Sequence, residues 1–261
     1  MRAYARVTAH ADGRGGTILT DLRGESPLLL RRTQDEDGVA TVHLVGGAAG
    51  PLGGDELRLD VVVGPGAALR LRSVAASIAL PDRHGAESRF AMSAEVAAGG
   101  TLQWLPEPTI AAAGCRHTAY ASVDLDEDAA LLWRDELICG RYGEEPGSLT
   151  MTTSVQYAGV PLLRQSLRVG PGADGWAGPA VLGGATATGS LLQVHPGTAP
   201  AGPVVLGPTA VRTPLSGPAT LTTAVADDAV TLRAYLTEPC PCGEPRPRPG
   251  TAEIAPSVSQ R

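Results

Sequence analysis

The sequence predicts an all-β protein built as a β-helical, solenoid-like stack of strands with one or two short helices. Three observations favour this class. Apolar and polar residues alternate with a period of two in many short segments, glycine and proline interrupt nearly every window long enough for a helix, and the strand units recur at a regular spacing. A β-sandwich of hairpins is the alternative, because Gly-Pro turns between alternating strands also occur in that architecture.

The clearest strand unit lies at 57–72, where two alternating segments flank the turn Gly64-Pro65-Gly66. The same strand–turn–strand pattern recurs at 94–104, 123–133 and 221–233. In the first three units the leading leucine after the turn is spaced by 33 and 29 residues, at Leu69, Leu102 and Leu131. One such unit cannot bury its apolar face alone, so a period of about 30 residues predicts that the units stack on one another.

Helical signals are weak, and the best candidates are 128–138 and 180–194. From Pro239 onward prolines alternate with cysteine, glycine and arginine. Prolines at this density cannot join a hydrogen-bonded ladder. We therefore predict a single β domain at 1–237 and a disordered Pro/Cys-rich tail at 238–261.

Composition excludes several classes of function. All 21 basic residues are arginine and the net charge is −6, so the chain lacks the excess of cations that general nucleic-acid binding requires. The sequence contains no run of 18 apolar residues, so it predicts no membrane span. Its first residues lack the apolar core that is typical of a secretory signal. Four cysteines in 261 residues do not form a disulfide framework, and we expect a cytoplasmic protein with reduced thiols.

Catalytic motifs are missing from the sequence. It contains no GxSxG nucleophile elbow, no HExxH zinc motif, no phosphate-binding P-loop and no EF-hand loop, and its five histidines are scattered. We predict no catalytic residues and no enzyme. Cys240 and Cys242 are the one closely spaced thiol pair, and they are weak metal candidates because neighbouring residues do not complete a four-ligand site.

Four carboxylates occupy unusual places in the sequence. Asp55 follows two glycines and opens the strongest strand, Glu107 lies between two prolines, and Asp135 and Glu136 interrupt an apolar run. An isolated buried charge is too costly, so such a carboxylate either pairs with an arginine, which for Asp135 would be Arg141, or lines a wet cavity. Asp55 has a further alternative role as the cap of the adjacent turn. These alternatives stay open at this point.

Taken together, several segments resemble the UreD family of urease accessory proteins, called UreH in some organisms. The run GGDELRLDVVVGPGA at 53–67 is similar to the GGD…VGPGA signature of that family. LQWLPEPTI at 102–110 resembles its LxWLPxPTI segment, and LWRDELICGR at 132–141, followed by Gly143-Glu144, resembles its Gly-Arg and Gly-Glu elements. Weaker matches bring the resemblance to roughly 15–236, and the three motifs in register make it specific.

The resemblance implies a non-catalytic scaffold or chaperone that binds urease apoprotein with UreF and the GTPase UreG and assists nickel delivery. It implies a β-helical fold, no permanently bound cofactor and transient Ni²⁺, with neither nucleic acid nor membrane as partner. We expect an internal, carboxylate-lined passage formed by Asp55, Glu107, Asp135 and Glu144, with Arg141 positioning a carboxylate through a bidentate pair. The alternative is a passive β-solenoid interaction module without metal transfer.

Overall fold

The structure, a computed structural model, describes residues 1–35 and 38–237. Strands dominate this part of the chain, and its only helix is α1 (Ala229–Tyr235). In chain order the strands are β1 (Arg2–Ala11), β2 (Thr17–Gly24), β3 (Leu28–Arg32), β4 (Ala40–Gly46), β5 (Glu56–Val63), β6 (Ala68–Ser73), β7 (Ser77–Ala79), β8 (Ser88–Val96), β9 (Thr101–Leu105), β10 (Thr109–Ala111), β11 (Arg116–Leu125), β12 (Ala130–Ile138), β13 (Ser148–Tyr157), β14 (Val160–Val169), β15 (Ala187–Val194), β16 (Val204–Gly207), β17 (Ala210–Pro214) and β18 (Ala219–Ala226).

The strands form two sheets that pack their apolar faces together. The seven-stranded sheet has the order β14-β13-β11-β8-β5-β1-β2. The eleven-stranded sheet follows the path β16-β17-β18-β15-β12-β9-β6-β4-β3, with the short strand β10 beside β12 and β7 beside β10. Between β4 and β13 the chain passes repeatedly from one sheet to the other, and neighbours within each sheet run parallel there. Hairpins would pair consecutive strands antiparallel, so the predicted solenoid-like stack is confirmed over the sandwich.

The predicted repeat appears directly in the strand register. Leu69 of β6 pairs with Leu102 of β9, which pairs with Leu131 of β12, so the steps of 33 and 29 residues each correspond to one coil. All three leucines are buried and lie in the main apolar core. Stacking therefore buries the apolar face that a single unit leaves exposed.

The two weak helix candidates, 128–138 and 180–194, contain strands β12 and β15, as expected from their poor helical signals. One local prediction is wrong. The last strand–turn–strand unit, 221–233, is instead β18 followed by α1. Asp228 begins the helix by accepting a hydrogen bond from the Thr231 backbone N–H, as an N-cap residue does. The predicted tail at 238–261 lies outside the described residues, and the domain boundary before it stays a prediction.

The eleven-stranded sheet is interrupted at one place. β6 ends before 74–76 and β9 ends before 106–108, and the short strands β7 and β10 resume the ladder beyond. The interruptions lie side by side, because β6 and β9 pair up to Arg72 and Leu105, and β7 and β10 pair from Ser77 and Thr109. In the second segment Pro106 and Pro108 lack the N–H that a central strand must donate. We call this gap the sheet break.

Candidate functional site: an internal cavity beside the sheet break

A cavity of about 390 Å³ lies between the two sheets, next to the sheet break, and it opens to solvent, because its lining includes the exposed side chains of Val74 and Tyr120. This volume accommodates several water molecules. On the seven-stranded sheet most of its wall consists of inward-facing residues from two consecutive levels of the stack, where a level is a set of residues paired across parallel strands. These residues are Leu57, Phe90, Met92, Ala119, Ala121, Met151 and Thr153. The small side chains at 119 and 121 leave space that longer residues fill elsewhere.

Asp135 carries the carboxylate inside this cavity. It shares the inward face of β12 with Leu131 and Trp133, because side chains two residues apart lie on the same face of a strand. Its Oδ2 accepts hydrogen bonds from Trp133 Nε1 at 2.9 Å and from Thr153 Oγ1 at 2.7 Å. The side chain lies deep within the protein, and it retains some accessible surface because it lines the cavity. Burial raises the pKa of Asp135, although hydrogen bonds, the largest from Thr153, act against this shift.

Asp135 thus follows one of the two alternatives left open by the sequence. It lines the cavity and forms no pair with Arg141, whose guanidinium binds Glu144. The indole rings of Trp104 and Trp133 stack beside it with centroids 5.5 Å apart. Only neutral donors are seen to hold this carboxyl group in the described part of the chain, and in its ionised form it attracts a passing cation.

On the outer face of the same strand lies a group of charged residues. Glu136 is buried, and Arg233 of α1 forms a bidentate pair with its carboxylate. Arg233 also reaches Glu107, with Nη1 at 3.3 Å from Oε1 and Nη2 at 3.2 Å from Oε2. Arg134 completes the group by donating to the Pro106 carbonyl at 3.1 Å. Glu107 and Glu136 both belong to the cavity lining, so this group lies where the cavity meets the sheet break.

His117 is a further titratable residue of the cavity wall. It is 4% exposed, and its Nδ1 lies 2.9 Å from the Ser88 hydroxyl. Burial lowers the pKa of His117 to about 4, partly offset by the charge of Glu87. The imidazole is therefore neutral at neutral pH, which is the form that binds a metal ion.

Asp55 lies apart from the cavity lining. Its Oδ1 contacts the Met1 amino group at 2.7 Å, and its Oδ2 accepts a hydrogen bond from the Leu52 backbone N–H at 2.9 Å. The carboxylate thereby closes the turn before β5. This placement corresponds to the turn-capping alternative. Asp55 does not line the cavity, and its role in a passage stays a prediction.

Glu144 and Arg141 form the predicted bidentate pair, with both nitrogen–oxygen distances at 2.8 Å. The pair lies in the turn after β12 and does not line the cavity. Glu144 Oε1 also accepts hydrogen bonds from the backbone N–H groups of Arg141 and Ala113. Pairing with Arg141 lowers the pKa of Glu144 to about 2. The structure therefore brings Glu107 and Asp135 to the cavity and separates Asp55 and Glu144 from it.

Two further observations concern metals and membranes. Cys240 and Cys242 lie outside the described residues. Within 1–35 and 38–237, no three or more His, Cys, Asp or Glu side chains are grouped so as to hold a metal ion. No helix in these ranges is long and apolar enough to cross a membrane.

Sequence reasoning missed Glu136, His117 and Arg233 as site residues. The alternation in β12 contains the signal for Glu136, because it places Glu136 on the face opposite Asp135. Arg233 carries no such signal. It lies 97 residues from Glu136 along the chain, in a segment whose alternation resembles a strand.

Comparison with known proteins identifies the family. The sequence profile described as UreD urease accessory protein matches residues 1–237. The chain is 47% identical over 241 residues to the urease accessory protein UreD of Streptomyces avermitilis, covering 91% of this chain and 96% of that protein. It is 45% identical over 272 residues to UreD of Frankia alni, covering 91% of each. The chain belongs to the UreD family.

A third UreD protein supports the same assignment. UreD 1 of Saccharopolyspora erythraea is 44% identical over 249 residues, covering 91% of this chain and 94% of that protein. The resemblance seen in the three sequence motifs is therefore confirmed. Urease accessory proteins are non-catalytic assembly factors, so membership of the UreD family also confirms that this chain is not an enzyme.

Proposed function

We propose that this UreD-family chain is a scaffold that binds urease apoprotein together with UreF and UreG and assists nickel delivery to the urease active site. The cavity between the two sheets is the proposed route for the ion. The observation that carries the proposal is the position of Asp135, an acid inside a cavity of about 390 Å³ whose lining also includes Glu107 and Glu136 at the sheet break.

The chemistry of the lining suits passage of a divalent cation. Ni²⁺ accepts oxygen and imidazole nitrogen ligands, and Asp135 and His117 offer one of each. Thr153 donates a hydrogen bond to Asp135, and Thr153 is the register partner of Ala121, which lies four residues from His117 on β11. At about 3.3 Å per residue, the backbone of Ala121 and that of His117 are roughly 13 Å apart, so Asp135 and His117 lie at different levels of the stack and are proposed as separate sites. Separate weak sites let an ion enter and leave again.

The test is nickel loading of urease in cells that express the complete urease operon. Asp135→Asn keeps the side-chain volume and removes the charge, and Glu144→Gln is the matched control because Glu144 does not line the cavity. We expect Asp135→Asn to lower the nickel content per urease and the urease activity by more than half, and Glu144→Gln to change neither. Nickel is measured by mass spectrometry on purified urease.

Recovery of the partners separates loading from assembly. We expect a pull-down with the Asp135→Asn protein to recover UreF, UreG and urease apoprotein as the parent does. Unchanged nickel content in Asp135→Asn, with the partners still bound, would instead favour the passive interaction module and contradict the passage. The cytoplasmic location stays a prediction.

A further inference from the structure

The cavity beside the sheet break has the size and the access of a small-molecule site. Its volume of about 390 Å³ falls within the range of roughly 300–1,000 Å³ that such sites occupy in proteins. The cavity opens to solvent beside Val74 and Tyr120, whose side chains are exposed. A small molecule can therefore reach the cavity from solution.

The three carboxylates of the cavity lining differ in their partners. Glu107 and Glu136 both form ion pairs with Arg233. In the part of the chain that the structure describes, Asp135 forms no ion pair and is held by two neutral donors. Both of these hydrogen bonds end on its Oδ2 atom, so neither of them uses Oδ1. Strand β9 ends beside this part of β12, which leaves Asp135 facing the cavity.

The walls of the cavity are otherwise mostly apolar. The stacked indole rings of Trp104 and Trp133 form one part of the wall, next to Asp135. Large aliphatic and aromatic side chains from both sheets form another part, namely Leu28, Leu44, Leu57, Ile78, Phe90 and Met92. An organic group placed between these walls removes apolar surface from water, which favours its binding.

The charge of the bound ligand follows from this single carboxylate. A monovalent organic cation forms a neutral pair with Asp135, whereas a divalent metal ion leaves an excess charge against apolar walls, which is costly. Consistent with this, the described residues contain no group of three or more His, Cys, Asp or Glu side chains able to hold a metal ion. Burial raises the pKa of Asp135, and a cation beside the carboxyl group acts against that shift and favours the ionised form.

We propose that the cavity is a binding site for a small organic ammonium ion with an apolar body. The ammonium group donates a hydrogen bond to Asp135 Oδ1, and the apolar body lies along Phe90 and Met92. This binding activity goes beyond the proposed function, since neither Ni²⁺ nor a partner protein takes part in it. Because the ligand occupies the same cavity, it would also block the proposed route of the ion.

The experiment measures binding to the full-length protein by isothermal titration calorimetry, with three probes that carry the same phenyl group and differ in charge. The probes are phenethylammonium, the neutral phenethyl alcohol and the anion phenylacetate. We expect phenethylammonium to bind about tenfold more tightly than the alcohol, the lower end of what a charge-assisted hydrogen bond contributes, and phenylacetate to bind more weakly than both. Equal affinity for the ammonium ion and the alcohol would overturn the proposal, and so would no binding of the ammonium ion.

Asp135→Asn tests the carboxylate directly. The variant removes the charge, and its amide oxygen can accept both hydrogen bonds that end on Oδ2. We expect Asp135→Asn to weaken phenethylammonium binding about tenfold and to leave phenethyl alcohol binding unchanged. The matched control Glu144→Gln removes a carboxylate outside the cavity lining and is expected to change neither. Unchanged phenethylammonium binding in Asp135→Asn, or an equal loss in both variants, would overturn the proposal.

A second variant covers the case in which Asp135→Asn does not fold. Ala121 lines the cavity, and Ala121→Leu fills part of the space without changing the charge. We expect it to weaken the binding of phenethylammonium and of phenethyl alcohol by similar factors, because both lose room for the phenyl group. Parent-like affinity for both probes in a folded Ala121→Leu would mean that they bind elsewhere on the protein, and this result would also overturn the proposal.

Discussion

The interior of the solenoid has a filled end and a hollow end. At the filled end, one level of the seven-stranded sheet contains Val61, Ala94, Val123 and Val155, all at most 1% exposed. They face the apolar ladder of Leu69, Leu102 and Leu131. At the hollow end, the level that contains Leu57 also contains Ala119, and the level that contains Leu59 also contains Ala121. These alanines are too small to fill the space between the sheets, and the cavity lies beside them.

The two ends differ most in the opposite sheet. At the filled end β6, β9 and β12 form an unbroken parallel ladder. At the hollow end the prolines on either side of Glu107 interrupt that ladder, and of these three strands β12 alone continues past the sheet break without interruption, with the short strands β10 and β7 paired beyond it. This cavity therefore arises from two local features. One wall carries small side chains, and on the other wall prolines interrupt a strand.

The largest expected effect is a loss of stability on truncating a side chain at the filled end. Leu102→Ala removes a fully buried side chain from the centre of the leucine ladder, and we expect it to lower the free energy of unfolding by about 4 kcal/mol. Met92→Ala at the hollow end is expected to cost about 2 kcal/mol, because Met92 already borders empty space and has fewer contacts to lose. Urea denaturation of both variants measures the difference. Equal losses would mean that the cavity wall is packed as tightly as the ladder.

The next effect concerns the titratable group of the hollow end. Because burial lowers the pKa of His117 to about 4 from 6.5, the unfolded chain binds a proton more readily than the folded one. Stability contributed by His117 is therefore present above pH 6.5 and is lost as the pH falls toward 4, by about 3 kcal/mol in total. Asp135 acts in the opposite direction, since its raised pKa favours proton uptake by the folded state.

The measurement is the difference in unfolding free energy between the parent and His117→Asn, followed from pH 7 to pH 4. The contributions of Asp135 and other carboxylates cancel in this difference, provided that the variant keeps the cavity. We expect His117→Asn to lose less stability than the parent over this range. Parallel pH profiles would contradict a neutral, buried His117.

Much of the fold follows from the sequence, and the reason is geometric. Each coil of a solenoid brings the next strand alongside the previous one, so equivalent residues of successive coils pair with each other. The spacing of Leu69, Leu102 and Leu131 in the sequence therefore predicts their register. Alternation likewise places Asp135 beside Trp133 on the inner face. Helix α1 was not predictable from alternation, because the capping interaction of Asp228 decides its fold against a strand-like pattern.

The candidate site follows from the sequence only in part. Asp135 lies in a regular strand and Glu107 lies beside one, and the alternation of a strand predicts on which face of the sheet a side chain lies. Asp55 and Glu144 lie in turns, where local backbone N–H groups compete for a carboxylate, and both are bound by such groups. Arg233 meets Glu136 only through tertiary folding, and no spacing in the sequence encodes a contact between residues 97 positions apart.

The smallest effect compares two alanines of neighbouring levels. Ala94 faces the filled end and Ala121 faces the cavity, and both are inward residues of adjacent parallel strands. Ala94→Leu forces extra atoms into a close-packed level and is expected to cost about 2 kcal/mol, whereas Ala121→Leu has space and is expected to stay within about 1 kcal/mol of the parent. Urea denaturation measures both.

The same pair separates stability from transport. Ala121→Leu fills part of the cavity without adding charge, so we expect it to lower urease nickel content while the protein remains folded. Ala94→Leu is expected to leave nickel content unchanged wherever the protein still folds, because Ala94 does not line the cavity. If Ala121→Leu were as destabilising as Ala94→Leu, the hollow end would be closed in solution. If it were stable and loaded urease normally, the ion would have to travel by a route that avoids Ala121.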